Sequence, residues 1–403
     1  MVTARSERYQ KHVYSTGGPD LGLSERWKQM GRSIGVDLHR DCFTTAILAD
    51  NGRCYLREWR LSNLDKFVML LLPTDKIAVE MTTNTRLFHD AVAKHVERVD
   101  IVNSCQFRVI TDSVKKTDKN DAATLARFLD KDMLPTVQLK EKRLAQLASL
   151  TRARDSLVKQ RTALKNKVNN QFAAAGIKMV RERISSNVAV HELEMDAEEV
   201  FDEIEALETK IYLHHIRCLN ESVAKLEAAI RKEGEKLKGY RELTSIKGIG
   251  SLGATILLTT IGDIKRFPNE GKLAAYLGLV PRVSDSNMTE HRGRITKQGS
   301  KLARTALVQC ALIAKRFSPY LAKYHERMRR KKCAGKANIA LARKLLGIVY
   351  RTLWNGWVFE DFPSYRLEGG VPPRWNRGKG GKYVASRRDL SPDARLGKKD
   401  GRP

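Results

Sequence analysis

The ordered pattern of the chain opens at Ser33. SIGVDLHR, CFTTAILAD and GRCYLREWRL follow one another, rich in β-branched and aromatic residues and parted by short turns around Asp41 and Asp50-Asn51-Gly52. Such runs between turn residues predict a three-strand meander. A helical stretch over 63–72 leads to a fourth strand, KIAVEMT, then to a helix over 85–96 and a fifth strand, RVDIVNS. Strands followed by alternating helix and strand describe an α/β domain with a mixed sheet. Thr117 then offers an N-cap to a helix with Ala122, Leu125, Ala126 and Leu129 at helical spacing. That places Asp118 and Asp121 on one face of its first turn.

From about 140 to 240 the period changes to seven. Leu150, Leu157 and Leu164 repeat, with Leu147 and Val168 on a neighbouring seam that Arg154 and Arg161 interrupt. Ile204, Leu207, Ile211 and Cys218 begin a second such stretch that runs on through Leu226 and Ile230. Two long helices are expected, forming either a coiled-coil hairpin or half of an intermolecular one. Beyond Tyr240, LTSIKGIGSLGATILLTTIG predicts two short helices joined at Lys247-Gly248-Ile249-Gly250. That turn admits two readings. One is a helix-hairpin-helix-like segment whose backbone N–H groups hold a DNA phosphate, and the other is a plain hairpin whose glycines permit close packing. Further helices are expected over 271–277, 301–316, 319–330 and 337–358.

The pattern divides the chain into a flexible basic arm over 1–31, an α/β domain over 32–138 and a coiled-coil spacer over 139–239. An all-α domain over 240–360 and a disordered basic tail over 361–403, rich in Gly, Pro, Arg and Lys, complete it. A length of 403 residues exceeds what one core fills, and 42% hydrophobic residues suffice for two or three. Lys and Arg number 74 against 46 Asp and Glu, a net charge of +28. This makes nucleic acid the expected partner, against the plainer reading of a solvated basic face. Cys42, Cys54, Cys105, Cys218, Cys310 and Cys333 form no CxxC pair, so neither a zinc site nor a disulfide framework is expected. No signal-peptide core and no membrane-length apolar run is found, which points to a soluble cytoplasmic protein.

Asp37 stands in the middle of the first strand and Glu80 in a comparable place in the fourth. An unpaired carboxylate there is costly and calls for a cation. If strands one and four are neighbours, as in the ribonuclease H arrangement, Asp37 and Glu80 converge, and Asp118 and Asp121 close the cluster. Four hard oxygen donors suit Mg2+, and two such ions about 4 Å apart can activate an attacking oxygen and stabilise a leaving one. The alternative makes each acid a surface or ion-paired group, since Lys115, Lys116 and Lys119 lie nearby.

The order GVDLH, AVEMT, IVNS, KKTDKNDAATLA, a long helical spacer, LTSIKGIGSLGATILLTTIGDIKRF, KLAAYLGLVPR and GRITKQGSKLARTAL resembles the insertion-sequence-110, or DEDD, transposases over about residues 33–358. KTDKNDA and GLVPR…GRITKQGS are its most specific blocks. The resemblance implies a RuvC-like (ribonuclease H-like) domain whose metal ligands are Asp37, Glu80, Asp118 and Asp121, with Mg2+ as cofactor. It also implies a helical transposase domain with a nucleophilic serine between the two blocks. Spacing from Pro281 selects Ser286, with Ser284 in reserve. Asn287 follows where the family usually has glycine, and Thr82-Thr83 stand where Thr-Gly is usual.

Ser286 is expected in a loop, with His291, Arg292 and Arg294 close in sequence, the arginines as phosphate-holding groups and Lys297 as a further nucleic-acid contact. The family further implies strand exchange through a phosphoserine linkage without ATP, and the chain has no GxxxxGK[ST] loop. Donor and target DNA, a structured guide RNA, and a dimer or tetramer in which the acids of one subunit meet the serine of another are the implied partners. Arg154, Arg161 and the basic tails offer RNA contacts. A nucleoid-associated bacterial or archaeal setting follows from this. Two other readings stay open: a RuvC-like junction-resolving nuclease using water, and a non-enzymatic nucleic-acid-binding protein whose acids are structural.

Overall fold

Ser33–Leu38 (β1) is buried along its whole length and is a central strand of the described part of the first compact unit, residues 1–139. The computed structural model describes residues 32–48, 54–103, 107, 117–178, 184, 186–286, 289–356, 358, 375–377 and 383–385. The expected arm over 1–31 and most of the expected tail lie outside them. β1 pairs antiparallel with β2 (Cys42–Leu48), which pairs antiparallel with β3 (Cys54–Arg60). On its other side β1 runs parallel to β4 (Lys76–Glu80), β4 parallel to β5 (Arg98–Val102), and β6 (Thr136–Val137) closes the edge antiparallel. This is the mixed sheet the alternation predicts. The helix expected over 63–72 is shorter, a 3-10 turn at Leu61–Asn63 running into α1 (Leu64–Val68). α2 spans Thr85–Val92 and α3 spans Asp118–Asp130.

Period two sorts β1 between two layers. Ile34, Val36 and Leu38 join Ile77, Val79, Phe43, Phe67 and Phe88 in a core shared with α1 and α2. Ser33, Gly35 and Asp37 turn to the other face, where α3 lies. A Cβ added to Gly35 would stand 2.0 Å from the Ala122 carbonyl oxygen and 2.5 Å from the Ala126 amide nitrogen. The helix therefore crosses the strand at backbone contact, on an interface of Ala46, Ala122, Ala123 and Ala126. The Ser33 hydroxyl meets Asp130 Oδ1 at 3.2 Å at the C-terminal end of α3, so its N-terminal turn lies toward Asp37.

The second unit, residues 140–403, begins with α4 (Lys142–Ala174) packed lengthwise on α6 (Glu203–Gly234). Between them comes α5 (Asn187–Val200), a helix the heptad pattern does not predict. Val168, Phe172, Val190, Leu193, Leu213 and Ile216 form their common core. Here one expectation is corrected. Ile204, Leu207 and Ile211 are 80%, 61% and 47% exposed and Cys218 is exposed too, whereas Ala206, Thr209, Leu213, Ile216, Val223 and Ile230 face inward. α6 carries two apolar stripes, and the one with small residues at Ala206 and Thr209 admits closer packing than the one with Ile204 and Leu207.

The remaining helices share a second core: α7 (Tyr240–Thr244), α8 (Ser251–Ile261), α9 (Glu270–Tyr276), α10 (Lys301–Phe317), α11 (Pro319–Lys331) and α12 (Ala334–Asn355). The region is helical but not all-α. β7 (Pro281–Ser286) and β8 (Thr289–Ile295) form an antiparallel hairpin within it. Inside the expected disordered tail, β9 (Trp375–Arg377) pairs with β10 (Tyr383–Ala385). No described helix is long and apolar enough to cross a membrane.

Gly35→Ala forces α3 away from β1, and overpacking of this kind costs about 1–3 kcal/mol. Urea unfolding should show that loss, and a change below about 0.5 kcal/mol would mean that the helix does not rest on the strand.

Candidate metal centre and serine hairpin

The parallel register Val36↔Val79 carries Asp37 and Glu80 to the same end of two adjacent strands, on the face that α3 covers. The chain reverses at once after Glu80. The Thr82 amide donates to Thr85 Oγ1 at 2.6 Å, and that hydroxyl donates to the Glu80 carbonyl at 3.0 Å. At the facing helix end Thr117 Oγ1 accepts from the Asn120 amide at 3.3 Å, which sets the first turn and with it Asp118 and Asp121. The positive end of the helix dipole favours acids at those positions.

His39 joins this group, and sequence reasoning did not assign it a role. Its Nε2 lies 3.3 Å from Asp37 Oδ2 and 3.2 Å from Asp118 Oδ2. The Asn84 amide donates to the carbonyls of His39 and Arg40 at 3.2 and 2.9 Å, holding the loop that presents the ring. The signal was its place two residues beyond Asp37 in GVDLHR. One donor atom from each of Asp37, His39 and Asp118 lies within 4.8 Å of the others, an oxygen-rich set that suits a divalent cation.

The electrostatics single out Asp37. Burial pushes its carboxyl from 3.8 up to about 6; the His39 imidazole opposes the rise, and Asp118, Glu80 and Asp121 add to it. Asp75 shows how the same fold treats a structural acid. Fully buried, it accepts from Arg32 Nε and Nη2 at 2.8 and 2.6 Å and from the Leu72 amide at 2.8 Å. Around Asp37 the fold gathers further acids instead. Like charges placed together disfavour one another unless a cation separates them.

Ser286 is the last paired residue of β7, opposite Thr289, so it ends a hairpin arm where a loop was expected. Ser284 pairs with His291 and Val283 with Arg292. The foot of this hairpin joins the two motif blocks. The Thr296 amide donates to the Val280 carbonyl at 2.9 Å, and the Lys297 amide to the Gly278 carbonyl at 3.2 Å. Gly278, at φ +68°, would place a Cβ 2.2 Å from the Gln298 oxygen, so no other residue fits. Arg304 Nη1 donates to the carbonyls of Leu277, Gln298 and Gly299 at 3.1, 2.7 and 3.1 Å. Lys297 holds φ +56°, a strained conformation for a side-chain-bearing residue, and it and Arg294 are exposed.

The other nucleic-acid candidates are placed apart. Arg154 Nε donates to Glu227 Oε1 and Arg161 Nη1 to Asn220 Oδ1, each at 2.8 Å, so both are engaged across the α4–α6 seam. Gly248 has φ +107°, and a Cβ there would lie 2.5 Å from the Ala314 amide nitrogen, a close-packing role. Gly250 precedes α8 with open space around it, and Lys247 is exposed.

Residues 34–175 match a family profile described as "Transposase", of the IS110 DEDD type, and residues 240–326 match the "Transposase IS116/IS110/IS902 family". The chain belongs to the IS110-type DEDD transposases. It is similar to the transposase for insertion sequence element IS1328 of Yersinia enterocolitica, at 25% identity over 81% of this chain and 98% of that protein. A pilin gene-inverting protein of Moraxella bovis is 28% identical over 79% of this chain and 95% of its own. The transposase for IS1111A of Coxiella burnetii is 29% identical over 49% and 54% respectively. The transposase is thus an enzyme that acts on DNA, which sets aside the non-enzymatic reading.

A raised carboxyl pKa means that the folded transposase binds this proton more tightly than the unfolded chain does. The stability it lends is present below pH 4, is lost as pH rises toward about 6, and amounts to about 3 kcal/mol, unless a cation replaces the proton. A divalent cation should therefore raise the melting temperature at pH 8 and hardly at pH 5. Asp37→Asn should stabilise the metal-free protein at pH 8 and remove the cation response. An equal response at both pH values, or an undiminished one in the variant, counts against the site.

Proposed function

We propose that the transposase moves an insertion sequence by serine attack on a phosphodiester, assisted by Mg2+ at Asp37, Glu80, Asp118 and Asp121. The observation that carries this reading is the approach of Asp118 and His39 to the buried Asp37, whose carboxyl also feels the charges of Glu80 and Asp121. Ser286 Oγ forms a bond to phosphorus as the bond to the leaving deoxyribose oxygen breaks, and the serine proton passes by way of a general base to that oxygen. The resulting phosphoserine diester keeps the bond energy, so an incoming strand hydroxyl can reverse the step without ATP. Arg292, Arg294 and Lys297 neutralise the charge that develops on the phosphoryl oxygens. Asp37, Glu80, Asp118 and Asp121 would hold the magnesium, which would supply Lewis-acid chemistry there.

The same reading extends to architecture. The strand order β3-β2-β1-β4-β5 with α3 across β1 supports a RuvC-like, ribonuclease H-like domain over 32–138. The division continues with a coiled-coil spacer over 139–239 and a serine transposase domain over 240–360, where the exposed Lys247 and the open Gly250 offer a helix-hairpin-helix-like DNA contact beside the packed Gly248. A structured guide RNA and donor and target DNA are the partners, in the bacterial or archaeal nucleoid. The active form is a dimer or tetramer in which acids and serine come from different subunits. The exposed stripe of Ile204, Leu207 and Ile211 supports such an assembly, since apolar surface of this kind marks an interface.

A second reading has its own support. Asp37, His39 and Asp118 come together within the first unit, which supports hydrolysis by water, as in a junction-resolving nuclease.

Incubation with duplex DNA and Mg2+ followed by a denaturing gel should show a covalent protein–DNA adduct. Ser286→Ala should abolish it while Ser284→Ala keeps it; cleavage that continues unchanged in Ser286→Ala decides for the nuclease. Ile204→Glu with Ile211→Glu should shift the protein to monomer in sedimentation, and an unchanged mass would remove the stripe from the interface.

A further inference from the structure

Between residues 291 and 359 the sequence holds seventeen Lys and Arg and a single acid, Glu326. That stretch alone carries over half of the net +28. The charge concentrates where α11 turns into α12. Lys323, Arg327, Arg329, Lys331, Lys332 and Lys336 are all exposed within fourteen residues of sequence. Arg330 pairs with Glu326 at 2.6 Å. Lys323, Arg329, Lys331, Lys332 and Lys336 have no ion pair among the described residues.

Helix electrostatics account for only part of this pattern. Cations in the last turn of α11, Arg329 to Lys331, are favoured by the negative end of its dipole. Lys336 stands in the first turn of α12, where the dipole disfavours a cation, and Lys332 lies between the helices. Self-repulsion works against the whole group. The turn itself is firmly built. His325, buried on α11, meets Asn338 Oδ1 of α12 at 2.7 Å through Nε2 and Lys315 Nζ of α10 at 3.5 Å through Nδ1. Leu321 and Ala337 are fully buried beneath it. A fixed scaffold thus presents a dense array of unpaired cations.

We infer that the α11–α12 elbow is a docking surface for the phosphate backbone of duplex DNA. A duplex carries about one negative charge per 1.7 Å of axis, and α11 extends about 20 Å, so this density has a natural match. No aromatic side chain is exposed between Lys323 and Lys336. Tyr324 is half-buried, with Arg327 5.5 Å and Lys344 6.0 Å from its ring. The stacking platform that single-stranded bases require is therefore missing from this face. The inference rests on the reading that the transposase engages duplex DNA, but on none of its cleavage chemistry.

Binding of the full-length protein to a labelled 30-base-pair duplex of arbitrary sequence, without divalent cation and across a salt series, tests it (duplex length about three helical turns). Arg329→Gln, Lys331→Gln and Lys332→Gln combined should weaken binding and reduce the slope of log K against log salt by about 2 to 3, at about 0.9 for each phosphate no longer neutralised. Lys66→Gln, Lys94→Gln and Lys225→Gln combined remove equal charge from exposed sites elsewhere and should leave the slope within about 0.5 of the parent. Equal weakening in the two triples, or none in the first, overturns the proposal. So does weakening confined to an RNA duplex of the same length. A parent that binds with the expected slope but never forms a phosphoserine adduct refutes the serine reading and leaves the elbow standing.

Discussion

The fold depends on one close approach, the crossing of α3 over β1 at Gly35. The strand offers a glycine, the helix answers with Ala122 and Ala126, and the two backbones come within the reach of a single missing Cβ. That proximity is what makes a helix-borne carboxylate a neighbour of a strand-borne one. With a side chain at position 35 the helix would ride higher, and Asp118 and Asp121 would belong to a different surface from Asp37. The small-residue interface is therefore the physical precondition of the acid cluster, even though none of its members is an acid.

Two buried aspartates in the same unit show how environment assigns their roles. Asp75 is matched by a bidentate arginine and a backbone amide, and its charge is settled inside the protein. Asp37 is set beside His39 and three more acids, and its charge is settled only by a proton or a cation. The fold can supply an arginine to a buried acid, and at Asp37 it supplies His39 and further acids instead.

Much of this is legible along the chain, and the failures have physical causes. The mixed sheet and the capped first turn of α3 follow from local periodicity, whereas the neighbouring of strands one and four is a supposition from the ribonuclease H arrangement, since a tertiary pairing has no local period. His39 escapes a sequence reading because its role comes from a loop pinned by Asn84, forty-five residues away, a contact that no period announces. The outward stripe of α6 reads as interior because both faces of the helix are apolar at heptad spacing. Choosing between them takes the volumes of the residues opposite. Ser286 reads as a loop residue because glycines and charged residues surround it. The pairing of β7 with β8 and the glycine contacts at their foot turn that window into a hairpin.

The glycines of the second unit carry the same lesson as Gly35. Gly278 and Gly299 both have positive φ, and each would place a Cβ 2.2 Å from a carbonyl oxygen of the opposite motif block. They lock GLVPR to TKQGS, so the hairpin bearing Ser286 rises from a foot that cannot slide in register. Gly248 does likewise for α8 against α10. The serine attack proposed above would demand that nucleophile and phosphate keep their geometry. Rigidity at the root of the hairpin is a constraint that backbone contacts at glycine can impose and that longer side chains would prevent.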